Sequence, residues 1–229
     1  MTSADEPRPA GTSADAAAAG AQRRPRDLEL PIRPGTARPT FCPWGHALAV
    51  GGVRHSWHQD YAAPEYLCEA CHALPDRGGR WAMIDPSITR QVRDDQVDET
   101  RLQLVIIPPA VPRGIGTILL RLGSTIFGQI QLTLCELDRC AVLLGLAVEP
   151  QHRRRGAGSV LVAAAKARGQ GYRWSSNPIG TDPVAIAFWG RVGLVGESSP
   201  AGCTHQIDAG AVPEQARWTP WWRAERPES

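Results

Sequence analysis

Several things are missing from this 229-residue chain, and each absence removes a class of function. No apolar run reaches the length of a membrane span. The first thirty residues hold no apolar core of the signal-peptide kind, and Asp5 and Glu6 argue against an organelle transit sequence. A soluble, cytoplasmic protein is therefore expected. Net charge is only +2 and the isoelectric point about 8.3, so there is no global excess of positive charge for nucleic acid. Any anion site must be local. Heavy use of Ala, Arg and Pro gives the chain the look of a GC-rich bacterial coding sequence.

Composition divides the chain into regions. Residues 1–38 are mostly small or polar groups with Pro and Arg, and too few large apolar side chains to offset ordering entropy; a disordered arm is expected. Residues 39–86 carry three of the six cysteines and four of the six histidines. Residues 87–210 read as the main folded unit. Residues 211–229 form a tail with Trp218, Trp221 and Trp222, which is expected to pack on the body or on a partner.

Region 39–86 has metal-site chemistry. Cys42-Pro43-Trp44-Gly45-His46 places two ligand types on one tight turn, and Cys68-Glu69-Ala70-Cys71 places two thiols on another. Tetrahedral zinc takes Cys and His at such spacings. About forty residues with few aliphatics cannot build a sufficient core, so a metal would supply the missing stability. His55, His58 and His72 compete with His46 for the fourth place, and His46 is preferred because its turn brings both ligands to one side. Four closed ligands make a structural site rather than a catalytic one. The alternatives are reduced cysteines in a small apolar cluster, or disulfides, which a cytoplasmic chain disfavours. The pattern resembles treble-clef or ribbon zinc modules. The arginines of this region form no stripe interleaved with aromatics, so protein docking or bracing of the neighbouring unit is expected rather than nucleic-acid binding.

The most informative segment lies in the main unit. The apolar strand 140–148 stops at Pro150, and the run Arg153-Arg154-Arg155-Gly156-Ala157-Gly158-Ser159 opens an alanine-rich helix expected from Gly156 to about Gln170. A helix start leaves N–H groups unpaired and carries partial positive charge. Glycines let a phosphate oxygen approach the main chain, so the segment reads as a diphosphate cradle. It lacks the Gly-Lys-Ser/Thr of a nucleotide-hydrolysing loop and the Gly-x-Gly-x-x-Gly of a dinucleotide loop. Ahead of it, residues 128–136 alternate apolar and polar, and Leu137-Asp138-Arg139 turns the chain, so an antiparallel hairpin is expected. After it come a strand, Tyr172 to Ser176, and a helix from Asp182 to Leu194 with Val184, Ala185, Phe188, Trp189 and Val192 on one face.

Arg153, Gly156 and Gly158 stand as in the Arg/Gln-x-x-Gly-x-Gly/Ala loop, and Asp182 to Leu194 resembles the second signature, of the GNAT acetyltransferase superfamily. The resemblance covers roughly residues 128–196. It implies a mixed α/β fold with flanking helices, of the acetyl-CoA acyltransferase type, preceded here by the zinc module. It implies acetyl-CoA as co-substrate: Leu146, Ala147 and Val148 along the pantetheine arm, main chain of Arg153 to Ser159 on the diphosphate, and Asp182 and Trp189 flanking. The main-chain N–H of Val148 would polarise the thioester, and an amine, small or on a protein, would attack directly.

The chain departs from the family pattern in three ways. Asp182 replaces the usual Asn, although Asn177 lies nearby. Trp189 stands where a phenol often serves as general acid, and indole gives up no proton at neutral pH. Val142 stands where some members carry a glutamate base. Glu136 is the first candidate base, with Glu149, Asp182 and His205 behind it. Between Asp85 and the hairpin, where the family usually has two helices, a strand-like run Leu102 to Ile107 and Pro108-Pro109 leave room for one. The zinc module is expected to replace part of that roof, or the acceptor cleft to be open. A non-catalytic acyl-CoA sensor is the alternative function. Cys135, Cys140 and Cys203 read as buried apolar residues. Edge strands and the tail are compatible with a homodimer.

Overall fold

A computed structural model describes residues 27–74, 78–177, 182–193 and 202–211. Two sheets organise them. The first contains β1 (Ile32–Pro34), β2 (Val53–His58), β3 (Ala63–Cys68) and β4 (Arg80–Ile84), in the order β1-β4-β3-β2. The second contains β5 (Gln91–Arg93), β6 (Leu102–Ile107), β7 (Gly116–Leu122), β8 (Thr125–Cys135), β9 (Cys140–Val148) and β10 (Arg173–Ser176), in the order β10-β9-β8-β7-β6-β5. β6 to β9 run antiparallel, while β10 joins β9 and β5 joins β6 in parallel. Short helices α1 (Leu48–Gly51) and α2 (Glu69–His72) belong to the first sheet; α3 (Ala157–Arg168), α4 (Pro183–Arg191) and α5 (Thr204–Asp208) belong to the second. None of the described helices is long and apolar enough to cross a membrane.

The period-2 pattern of β6 and β7 explains how the sheets meet. Leu102, Leu104, Ile118, Leu120 and Leu122 share one face, and that face must be covered. α3 covers part of it through Val160, Leu161, Ala164 and Ala165. The rest is covered by the four-stranded sheet: Leu28, Ile32, Tyr61, Ala63, Ala82 and Ile84 are buried in the same cluster. The metal-type region is thus docked on the main unit through a common apolar core.

Two expectations are corrected. Residues 27–38, read as part of a disordered arm, are built into the fold: Leu28 and Ile32 are fully buried, and β1 pairs with β4. Two large apolar side chains in a polar setting were enough, because a partner strand and α3 supplied the surface to bury them. The interval 85–125 holds no α-helix, only two single-turn 3-10 segments at Ile88–Arg90 and Asp94–Gln96. The place of a helical layer over β6 and β7 is taken by the other sheet. Residues 1–26, the tail 212–229 and its three tryptophans lie outside the described residues.

Candidate functional site

The hairpin β8–β9 forms as expected, and β9 is where the sheet opens. β10 pairs with β9 only from Arg173↔Cys140 to Ser176↔Leu143, whereas β9 continues to Val148. At the parting point the Asn177 main-chain N–H donates to the Leu143 carbonyl (2.9 Å) and its Nδ2 to the Leu144 carbonyl (2.9 Å). A register shift between Gln131 and Leu132 marks a bulge at the same level. Beyond it, among the described residues, Gly145 to Val148 pair with β8 alone.

Alternation decides which main-chain groups face the opening. The Glu149 N–H donates to the Phe127 carbonyl (3.0 Å), which makes Phe127 and Glu149 a hydrogen-bonded pair. In an antiparallel ladder the next residue points its groups away, so Val148 and Leu146 turn theirs outward toward the gap, and Ala147 turns inward to Gln129. Arg153 Nε donates to the Val148 carbonyl (3.1 Å), and among the described residues no acceptor meets the Val148 N–H.

The loop between β9 and α3 is shaped for an anion. Arg154 (φ 61°) and Gly156 (φ 95°) are left-handed, a conformation that turns neighbouring N–H groups into a common concavity. Among the described residues, no acceptor meets the N–H of Arg154, Arg155, Gly156, Ala157, Gly158 or Ser159; the first helical bond is Val160 to the Gly156 carbonyl. Six such donors at the start of a twelve-residue helix make a concavity of the kind that attracts an anion. Gly156 also has no room for a side chain, because a Cβ would overlap the Ile32 carbonyl. A Cβ on Gly158 would lie 3.2 Å from the Phe188 ring and 3.6 Å from Leu146, so these three line one wall of the opening.

Individual side chains depart from expectation. The Arg155 guanidinium donates to the Leu28 carbonyl and its own carbonyl accepts from the Ile32 N–H (2.7 Å), so only its main chain remains for the loop. Its charge stabilises the seat of β1 instead. Asp182 caps α4, accepting from the Val184 N–H (2.9 Å). Val184, expected on the buried face of α4, is exposed, while Phe188, Trp189 and Val192 are half-buried on the core. Glu136 lies just past the other end of β8, exposed, in an ion pair with Arg113 (2.9 Å). That pairing, behind its own backbone contact, holds its carboxyl below the ordinary range. The eight residue steps from Cys140 to Val148 span about 27 Å, so Glu136 stands far from Val148, as does His205, paired with Asp138 at the same end (2.9 Å). Glu149 is near the loop but faces His152 (3.5 Å).

His152 is almost wholly buried, edge-on to Phe127 (4.7 Å between centroids). Burial holds it below the usual imidazole range, against the opposing pull of Glu149 and Asp27. It anchors the loop as a neutral ring. The site also includes a residue that the loop motif does not mark. Arg33 in β1 brings its Nη1 to 3.4 Å from the position of a Gly156 Cβ. Burial first, then the neighbouring Arg191 guanidinium, lower its pKa. A guanidinium beside a row of N–H groups suits an anion. Arg33 escaped notice because it lies in the segment read as an arm, remote in sequence from the loop.

At the metal-type cluster, the four expected donors come together. Cys42, His46, Cys68 and Cys71 place all ligand atoms within 4.8 Å of one another. Cys42 Sγ is 3.7 Å from Cys71 Sγ and 3.6 Å from His46 Nδ1; Cys68 Sγ is 3.8 Å, and Cys71 Sγ 3.0 Å, from that nitrogen. Zinc bonds of about 2.0–2.3 Å imply tetrahedral edges of about 3.4–3.8 Å, so the set fits such a metal with a small adjustment at His46. Each turn has local cause. The Cys42 N–H donates to the His46 carbonyl (3.0 Å), the His46 N–H to Cys42 Sγ (3.2 Å), and Gly45 takes φ 93° between them. Burial raises the Cys42 thiol, but the His46 and Trp44 N–H groups and the Cys71 and Cys68 thiols bring it below its usual range, whereas burial and the Cys42 and Cys68 thiols push Cys71 up to about 12. The surrounding apolar cluster is small: Leu48, Tyr66, Trp81 and the three cysteines. His55 and His72 stay outside the set, and His58 accepts from the Tyr61 N–H (3.3 Å).

The model of the acetyltransferase (GNAT) family matches residues 89–194. Residues 89–194 are a GNAT acetyltransferase domain. The match begins after β4, so the four-stranded sheet with its Cys/His cluster lies outside it. A crystal structure of nourseothricin acetyltransferase is similar at 22% identity over 34% of this chain and 48% of that one, with a TM-score of 0.30. The alignment spans about half of that protein, and at this score the likeness supports no functional reading. No curated protein matches the chain. A GNAT domain implies acetyl-CoA as ligand and suggests an acyltransferase.

Proposed function

We propose that the protein is an acetyl-CoA-dependent N-acetyltransferase that passes the acetyl group to an amine by direct attack. The observation that carries this is a continuity of donors, unpartnered among the described residues, along one edge: main chain of Leu146 and Val148 in the opening, then six N–H groups from Arg154 to Ser159. Acetyl-CoA brings an activated thioester with a thiolate leaving group. The loop donors and Arg33 hold its phosphates, and Leu146 and Val148 pair with the pantetheine amides. The Val148 N–H polarises the thioester carbonyl and stabilises the oxyanion that develops there. Phe188 and Leu146 exclude water from one side. The amine must arrive neutral, and solvent takes its proton, because Glu136 and His205 are remote and Asp182 and Glu149 are otherwise engaged. Positioning supplies most of the rate. The four-stranded sheet covers β6 and β7 in place of a helical layer, and beside it the acceptor cleft is open to a bulky amine such as a peptide terminus or lysine. Zn2+ in the Cys42, His46, Cys68, Cys71 set is structural, and bracing of the main unit is its role.

The test is thiol release from acetyl-CoA with a panel of peptides and small amines. Turnover with peptides supports the reading; turnover confined to a small polyamine or aminoglycoside contradicts the open cleft. One observation favours a second reading, an acyl-CoA sensor whose zinc module contacts a partner: Trp189 donates no proton and, among the described residues, no free carboxylate or imidazole borders the opening. Tight acetyl-CoA binding without turnover on any amine would decide for it.

A further inference from the structure

A second group of ligand-type side chains lies at the opposite end of the hairpin, independent of the acetyl-CoA reading. Cys135 closes β8, Asp138 sits in the turn, and Cys203 and His205 come from the start of α5. Their ligand atoms all lie within 4.8 Å of one another. His205 Nδ1 is 2.9 Å from Asp138 Oδ2, and Cys135 Sγ is 3.9 Å from the same oxygen. Cys135 is buried, Asp138 exposed, and Cys203 and His205 half-exposed, so the group is open on one side to an entering ion. Its scaffold is rigid where it needs to be. Gln206 is fully buried; its Nε2 donates to Thr133 Oγ1 (3.4 Å), and its Oε1 accepts from the Cys203 N–H (3.0 Å) and the Cys140 thiol (3.4 Å).

We infer that Cys135, Asp138, Cys203 and His205 form a second site for a tetrahedral divalent metal, zinc by the nature of its donors. Two thiolates, one imidazole and one carboxylate are a zinc set, whereas magnesium or calcium would want oxygen alone. Binding replaces the two thiol protons by the ion and releases them to solvent. About 27 Å of strand separates the site from Val148, so the metal takes no part in acetyl transfer. It pins α5 to the hairpin turn, joining two segments more than sixty residues apart in sequence. Such a clamp substitutes for packing that a five-residue helix cannot provide alone.

The experiment compares zinc content of the full-length chain after zinc repletion and desalting, for wild type, Cys203→Ser and His205→Ala. Each variant is expected to hold one equivalent fewer than wild type while keeping its acetyl-CoA affinity within twofold. That difference reads this site alone, whatever the N-terminal cluster holds. His205 is half-exposed, so its removal keeps the fold even if Cys203→Ser does not. Cobalt loading gives a second readout: thiolate-to-cobalt absorption falls in Cys203→Ser. Equal metal content in wild type and both variants, or unchanged cobalt absorption, overturns the inference.

Discussion

Gly156 rests directly on Ile32: its φ of 95° and the Ile32 carbonyl against its α-carbon leave no space for a Cβ. Through this contact the start of the anion loop is seated on the first strand of the other sheet. Gly156→Ala must therefore strain the backbone by about 1–2 kcal/mol from handedness alone, and displace β1 as well. The expected outcome is a melting temperature lowered by at least about 2–4 °C, together with a loss of acetyl-CoA affinity, read by thermal denaturation and calorimetry. An alanine variant as stable as the parent would mean that β1 is not seated there.

Arg33 supplies the second prediction. Its guanidinium stands by the loop with Arg191 as a like-charged neighbour, a repulsion that a bound anion relieves. Arg33→Ala should weaken acetyl-CoA binding roughly tenfold, the effect of one lost charge-assisted contact. The loss should shrink as salt rises. Titration at low and high ionic strength checks both. An affinity independent of Arg33 would leave the main-chain donors as the whole anion site.

The N-terminal cluster predicts metal-dependent stability. Tyr66, Trp81 and Leu48 are a small core for four strands, but Ala82 and Ile84 extend into the main core. Cys71→Ser should lower the zinc content by one equivalent, and either this variant or a strong chelator should lower the melting temperature of the whole chain. Added zinc should restore the chelated wild type and not the variant. A chelator that strips zinc without moving the melt would make the cluster dispensable for folding.

His152 predicts the behaviour in mild acid. Its folded pKa lies below the ordinary value of about 6.5, so the unfolded chain takes up the proton first. Stability from this residue is full above about pH 6.5 and declines as pH falls toward the folded value. His152→Gln should be less stable near pH 7, and its stability should fall less between pH 7 and 5. Denaturant midpoints at several pH values measure this. Parallel pH profiles for the two proteins would assign the acid sensitivity to other groups.

Local pattern was legible and tertiary placement was not. The alternation of 128–136, the apolar run 140–148 and the glycines at 156 and 158 each carry their own geometry, so hairpin, loop and α3 could be read before any contact was known. The two Cys turns were legible for the same reason: each ligand pair is set by its own four or five residues. Residues 27–38 were misread because Leu28 and Ile32 acquire their burial only from α3 and β4, elements far along the chain. Glu136 looked eligible because sequence proximity to the cofactor strand says nothing about which end of the strand it occupies. Cys135 and Cys203 were read singly as apolar cysteines, since nothing in the sequence brings the α5 residues to the hairpin turn.

The measurement closest to the central claim is calorimetric titration of the purified chain with acetyl-CoA, alongside Gly158→Asp. The parent should bind one equivalent with a dissociation constant between about 1 μM and 1 mM, the span of ordinary substrate affinities. The aspartate side chain, starting 3.2 Å from the Phe188 ring and 3.6 Å from Leu146, should abolish binding by filling the opening next to the loop and putting a negative charge there. No heat from the parent at millimolar acetyl-CoA, or undiminished binding by the aspartate variant, would contradict the account.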